Sequence, residues 1–307
     1  MSIFGAFFFP ESASNLAPWV DHLYFALLAL CGTVALGVLV VALFFCVRYH
    51  HGSGADRTPP KTGSTPFEIT WTVTPLLIFL VLFFWAANVF FAMSRPPADA
   101  LEIYVVGKQW MWKIQHPDGR REINELHLLV DRPVKLVMTS QDVIHDFFVP
   151  SFRNKQDVVP GRYTTEWFTP TKPGKYHLFC SQYCGTDHSR MTGWVYVMEP
   201  AEHARWLAGQ AVPDSLVAQG ERTFYTRGCS GCHTPNAALR APSLVGIYGK
   251  QVPLSDGTLV TADDQYLRDS ILLPSKQIAA GFAPIMPTFQ GQISEEEINA
   301  LLAYIKS

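Results

Sequence analysis

The sequence predicts a multidomain protein: a pair of membrane-spanning helices, then an all-β sandwich, then an all-α domain. Three observations predict it. Residues 23–47 and 71–94 carry no charged side chain, and helices of that length, at about 1.5 Å per residue, exceed the roughly 30 Å hydrocarbon layer of a bilayer. Beyond Pro96, short alternating runs rich in Val, Ile, Tyr and Trp are separated by turn formers such as Pro117-Asp118-Gly119 and Pro173-Gly174. From about Asp214 the pattern turns helical, and Ser294 with Glu297 spells a capping box ahead of a run ending at Lys306.

The first run, 23–47, is too long for a signal peptide, and no Lys or Arg precedes Arg48 to supply a basic leader. The second, 71–94, carries Pro75 in its expected first turn, where a missing N–H costs little. Buried soluble helices are the alternative, but these seldom run so far without a polar face. Arg48, Arg57 and Lys61 lie between the runs, whereas only Glu11 and Asp21 precede the first. The connection is therefore expected in the cytoplasm and both chain ends outside, which in a bacterium is the periplasmic face of the cell (inner) membrane. The strands are expected near 101–106, 126–130, 134–139 and 193–198, and the last helix presents Ile298, Leu301, Leu302 and Ile305 on one face. The boundaries that follow are 1–95 for the membrane hairpin, 96–205 for the sandwich and 214–307 for the helical domain.

Composition narrows the function. The chain has 307 residues, more than one compact domain, with 48% hydrophobic and 16% charged residues. With 24 Lys plus Arg against 26 Asp plus Glu, the net charge of -2 provides no basic field for a polyphosphate, so nucleic acid is not expected as a partner. The six cysteines fall into three pairs: 31 with 46, 180 with 184, and 229 with 232. A long apolar chain does not need a disulfide framework, so the two close pairs read first as cofactor ligands.

The segment Cys180-Ser-Gln-Tyr-Cys184-Gly-Thr-Asp-His188-Ser-Arg-Met191 gathers two thiols, an imidazole and a thioether, and His145 lies upstream in Asp142-Val-Ile-His145. Without Cys180, the set His145, Cys184, His188 and Met191 is that of a single blue-copper ion. The extra thiolate suits a pair of copper ions bridged by two sulfurs, each ion taking one histidine. A Cys2His2 zinc site or a Cys180–Cys184 disulfide are the competing readings.

On these residues the region resembles subunit II of haem-copper cytochrome c oxidases, with its cupredoxin domain bearing the dinuclear copper centre CuA, through about Pro200. The resemblance implies His145, Cys180, Cys184, His188 and Met191 as side-chain ligands and the Gln182 carbonyl as the remaining one. The family usually has Glu at position 182, where the carboxylate reaches a magnesium ion shared with subunit I, so Gln182 departs from that pattern. Gly107-Lys-Gln-Trp110-Met-Trp112 is similar to the family's aromatic segment, with Trp110 where electrons enter and Met111 where a Tyr is common. Trp112 reads equally well as sandwich core. The stretch from Lys155 to Arg162 resembles one that faces subunit I. Glu68 matches an acid at the mouth of a proton-uptake path, although a carboxylate at a helix N-terminus is an equal account.

Cys229-Ser-Gly-Cys232-His233 is a C-x-x-C-H haem c attachment sequence, with both thiols available for thioether bonds and His233 for the iron. Met286, in Ile285-Met286-Pro287, is the only methionine after Met198 and is the candidate sixth ligand. The region 214–307 resembles a class I cytochrome c domain. Together the two resemblances match the cytochrome c-fused subunit II of caa-type oxidases. They imply two copper ions and one covalent haem c. They also imply oxidase subunits I and III as partners and an external donor such as a cytochrome c or a bc-type complex. Oxygen chemistry would belong to subunit I, because neither span holds a histidine or a charge. A nitric oxide reductase subunit, a free-standing membrane-anchored carrier and a copper-delivery protein are the rival readings.

Overall fold

The computed structural model describes residues 9–58, 63–209, 215–234 and 241–307. Lys61 and Asp214, used above for topology and for a boundary, lie outside the described residues. The described residues divide into two compact units, those within 15–95 and those within 9–14 and 96–307.

The first unit is a helical hairpin. Helix α1 spans Ala17–Arg48 and α2 spans Thr65–Ser94. Each is apolar on every side, and large side chains such as Leu36, Phe79 and Val81 remain more than half exposed within the chain. A water-soluble helix hides such a stripe, so this pattern is that of lipid-facing spans. One expectation is corrected here. Because α2 begins at Thr65, Pro75 lies inside the helix and not in its first turn, where its missing N–H removes one i→i−4 bond. Glu68 is the acidic residue of the true first turn.

Among its described residues, the second unit has two five-stranded sheets, besides a two-stranded hairpin in its helical part. One has the order β3-β2-β1-β5-β8, made of Arg121–Ile123, Met111–Gln115, Leu101–Lys108, Val134–Ser140 and Thr164–Phe168. The other has the order β4-β10-β9-β6-β7, made of Glu125–Leu129, Thr192–Met198, Gly174–Cys180, His145–Val149 and Asn154–Val158. Alternation decides which side chains face inward: along β10, Val195 and Val197 are buried while Trp194 and Tyr196 look outward. Trp112 is fully buried and meets Phe147 edge-to-face at 5.1 Å, which makes it a core residue. A short helix, α3 (Pro200–Ala208), follows β10.

The helical part comprises α4 (Leu216–Thr226), the short α5 (Ser230–His233), a small hairpin of β11 (Gln251–Pro253) and β12 (Leu259–Thr261), α6 (Asp264–Leu272) and α7 (Glu295–Lys306). The capping box of α7 forms as expected: Glu297 N–H donates to Ser294 Oγ at 3.2 Å and Ser294 N–H to Glu297 Oε2 at 3.0 Å. Helices α4 and α7 cross at Gly220, where an added Cβ would stand 2.0 Å from the Ala300 carbonyl oxygen. Around the crossing, Phe224, Leu267, Ile298, Leu301 and Leu302 form the core.

The helical part is docked on the outer face of the first sheet. Tyr104 and Val137 of the sheet pack with Leu216 and Ala300. Asn299 donates to buried Gln115 at 3.0 Å and accepts from the Tyr163 hydroxyl at 2.9 Å. Lys306 pairs with Glu102 at 2.9 Å and Lys113 with Glu296 at 2.8 Å. Burial works against ionisation of both carboxyls, yet Lys135 and Lys306 hold Glu102, and Lys113 holds Glu296, below the usual carboxylate range. The sign follows from the depressed values: this contribution is present above the unfolded-state pKa and is lost as pH falls through the folded one. The protection factors of the α7 amides, taken against the intrinsic exchange rate at each pH, should thus be high at neutral pH and fall below about pH 4, the ordinary carboxylate range. Protection factors unchanged across that window would exclude these pairs from the docking.

Candidate metal centres

The loop ends of the second sheet bring the first ligand set together. His145 opens β6, Cys180 closes β9, and the segment from Ser181 to Met191 folds back so that Cys180 N–H bonds the Met191 carbonyl at 3.1 Å. The Cys180 and Cys184 sulfurs are 3.7 Å apart, and a disulfide would require about 2.05 Å. His145 Nδ1 lies 3.9 Å from Cys180 Sγ, His188 Nδ1 3.5 Å from Cys184 Sγ, and Met191 Sδ 3.8 Å from Cys184 Sγ. The Gln182 carbonyl is 3.2 Å from Cys180 Sγ, and its side chain is exposed. Every side chain expected in this set from the sequence is present, and Cys180, Cys184, His145 and Met191 are buried.

The donor chemistry fits a soft cation pair. Burial opposes ionisation of Cys180, but hydrogen bonds, first from His145, bring its thiol down to about 7. Burial and the neighbouring Cys180 sulfur push Cys184 up to about 12. Two adjacent thiolates are therefore not held by the protein alone and require positive charge between them.

Several supporting residues were not singled out from the sequence. Asp142 lies 2.8 Å from His145 Nε2, which fixes the ring and leaves Nδ1 facing the sulfurs. Gln109 Nε2 and Trp110 Nε1 donate to the Cys184 carbonyl at 2.8 and 3.3 Å, so the part-exposed Trp110 indole joins the ligand loop directly. Gly107 matters by what it lacks, since a Cβ there would come within 2.9 Å of His145 Cδ2. Gly107→Ala should displace the His145 ring, an overpacking cost of about 1–3 kcal/mol, and alter the visible and EPR spectra of the copper-loaded protein. Spectra identical to wild type would remove Gly107 from this role.

The second set lines a cavity of about 220 Å³ whose wall includes Cys229, Cys232, His233, Tyr266, Met286 and Phe289. Cys229 caps α5, and the next turn carries Cys232 and His233. His233 Nδ1 is 2.9 Å from the Pro242 carbonyl, which directs Nε2 the other way. With both thiols free, an imidazole and a thioether at one apolar cavity, the residues fit a covalently attached haem. Pro242 had no signal in the sequence, being nine positions from its partner.

Three comparisons bear on these geometries. The chain matches the family described as "Cytochrome C oxidase subunit II, transmembrane domain" over residues 2–89, "Cytochrome C oxidase subunit II, periplasmic domain" over 120–198, and "Cytochrome c" over 217–307. It is 26% identical to cytochrome c oxidase subunit 2 of Alkalihalophilus pseudofirmus, an alignment covering 95% of this chain and 87% of that protein. To the protein of the same description from Thermostichus vulcanus it is 29% identical, over 64% of this chain and 76% of the other. Among solved structures, the periplasmic domain of subunit II of cytochrome oxidase of Bradyrhizobium japonicum shares 32% identity, covering 37% of this chain and 95% of that one, with a TM-score of 0.36. Three matches follow one another along the chain in the order of its hairpin, sandwich and helical part, and the chain belongs to the cytochrome c oxidase subunit II family, with a C-terminal cytochrome c domain.

Proposed function

We propose that this subunit accepts electrons on a covalent haem c and delivers them by way of a dinuclear CuA centre to the haem-copper subunit I, where oxygen is reduced. The observation that carries this reading is the arrangement of the buried sulfurs: each imidazole adjoins a different sulfur, His145 at Cys180 and His188 at Cys184. One tetrahedral zinc ion would not need that separation, nor the buried Met191 thioether. When bound, the haem and the copper pair supply reversible one-electron carriers.

The chain's own residues do the rest. Cys180 and Cys184 would hold the two coppers together with His145 and His188, and Met191 and the Gln182 carbonyl would complete the set. Cys229 and Cys232 would anchor the haem, and His233 and Met286 would ligate its iron. Trp110 is the contact through which electrons enter the copper loop. Lys155 to Arg162 runs along and beyond β7, an edge strand, and faces subunit I. Glu68 lies at a proton-uptake mouth of a proton-translocating oxidase. The domains are taken as 1–95, 96–205 and 214–307, with both redox domains on the periplasmic side of a bacterial cell membrane. Subunit III and an external cytochrome c or bc-type complex complete the assembly.

The test is purification of the complex. Two copper ions and one haem c per chain are expected, with the multi-line EPR of a delocalised copper pair and consumption of O2. A single-copper spectrum, stoichiometric zinc in protein made with copper available, or turnover of nitric oxide in place of O2 would each refute the corresponding part.

A further inference from the structure

A second cluster of metal-ligating side chains sits at the edge of the sandwich where the chain crosses from one sheet to the other. His116 lies in the turn after β2, closed by Gly119 N–H to the His116 carbonyl at 2.9 Å. Glu122 is on β3, and Glu125 and His127 are on β4, just past the crossover at Asn124. His116 Nε2 is 2.5 Å from Glu122 Oε1, while the other Glu122 oxygen is bound by His127 Nδ1. Ligand atoms of Glu122, Glu125 and His127 all lie within 4.8 Å of one another. No residue of the copper or haem sets belongs to this group.

We infer that Glu122, Glu125 and His127, with His116 holding Glu122 Oε1, form a binding site for a zinc-type divalent cation, separate from both redox centres. Glu125 brings a second carboxylate beside Glu122, whose two oxygens are held by His116 and His127, and a cation among them would take up the added negative charge. Arg120, the neighbouring guanidinium, is already paired with Asp118 and lies over Trp206. The donors are nitrogen and oxygen only, the set that zinc accepts and that copper(I) does not prefer. Ligand atoms of a tetrahedral zinc shell stand roughly 3.3 Å apart. Among the three, His127 is in direct hydrogen-bond contact with Glu122 and all the ligand atoms lie within 4.8 Å, so small side-chain shifts reach that spacing.

The surroundings hold the ligands in place. The side chains of His116, Glu122 and His127 are 8%, 9% and 13% exposed. His127 is stacked between Tyr196 at 4.5 Å and Trp206 of α3 at 4.7 Å, and the Tyr196 hydroxyl donates to Glu125 at 3.3 Å. An imidazole stacked on both faces keeps its in-plane nitrogen directed at the carboxylates. The bound cation would brace the crossover beneath α3, the helix that leads from the sandwich toward the cytochrome c domain.

The test uses the full chain with its copper centre filled, so that Cys180, Cys184, His145 and His188 are not free to take zinc. Equilibrium dialysis against zinc, followed by elemental analysis, should give one zinc per chain in addition to copper. Glu122→Gln and Glu125→Gln should each weaken retention by roughly tenfold or more, with the copper spectrum unchanged. Glu125 is on the exposed side, so its variant decides the matter if Glu122→Gln does not fold. Cobalt in place of zinc should give visible ligand-field bands without a near-ultraviolet thiolate band. No zinc beyond background in the copper-filled wild type, equal retention in Glu125→Gln, or a thiolate band with cobalt would overturn the assignment.

Discussion

Cys184→Ser is expected to leave the haem reducible but no longer reoxidised when the intact, reduced complex is mixed with O2. Cys184 is 3% exposed and stands between Cys180, His188 and Met191, at 3.5 to 3.8 Å from each. Serine keeps the volume but replaces a soft, bridging sulfur with a hard hydroxyl that remains protonated. The copper pair should then be lost, at most one copper being retained, and turnover should fall to background. Stopped-flow absorbance of haem c reports the result directly. Reoxidation at the wild-type rate would show that electrons bypass the copper ligands, and the proposed order of carriers would have to be abandoned.

Met286→Ala should act on the other centre and in the opposite sense. The covalent bonds to Cys229 and Cys232 do not depend on the sixth ligand, so haem content should be unchanged. The haem should become high-spin or water-ligated, and its potential should fall, because thioether ligation raises it. Axial ligands tune haem potentials over roughly 0.8 V, so a drop on the order of 0.1 V or more is expected. At about 59 mV per decade for one electron, that disfavours reduction by the donor by more than tenfold. Oxidation toward the copper side becomes more favourable, so donor oxidation should slow while haem reoxidation does not. A redox titration with an unshifted midpoint would show that Met286 is only a wall residue of the cavity.

Much of this molecule could be read locally. The uncharged runs, the alternation of β10 and the capping box at Ser294 and Glu297 are signals carried within a few residues. The two candidate ligand sets could be picked out because seven of their side chains sit in two short segments, 180–191 and 229–233, with only His145 and Met286 added from a distance. What escaped was fixed by contacts between distant segments. Pro75 was misplaced because Thr65 to Thr70 is polar enough to hide the true helix start. Gly107 has meaning only against the His145 ring, and Pro242 only against His233. The docking of Gln115 on Asn299 joins residues 184 positions apart, and neither has a pattern that points to the other.

That docked arrangement bears on ionic strength. Salt screens the exposed part of an interface, with a Debye length of about 8 Å under physiological conditions. The Lys113–Glu296 and Lys306–Glu102 pairs are partly open to that screening, but the Gln115–Asn299–Tyr163 relay and the apolar contact of Tyr104 and Val137 with Leu216 and Ala300 are not. A cytochrome held this way needs no encounter: its effective concentration at the sandwich is set by packing and does not depend on steering through solvent. On the proposed path, transfer within the chain would then be first order and nearly indifferent to salt, while reduction by a diffusing donor would keep the usual ionic-strength dependence. On that path, fusion of the two domains would leave a single step, the arrival of the outside donor, exposed to the electrolyte.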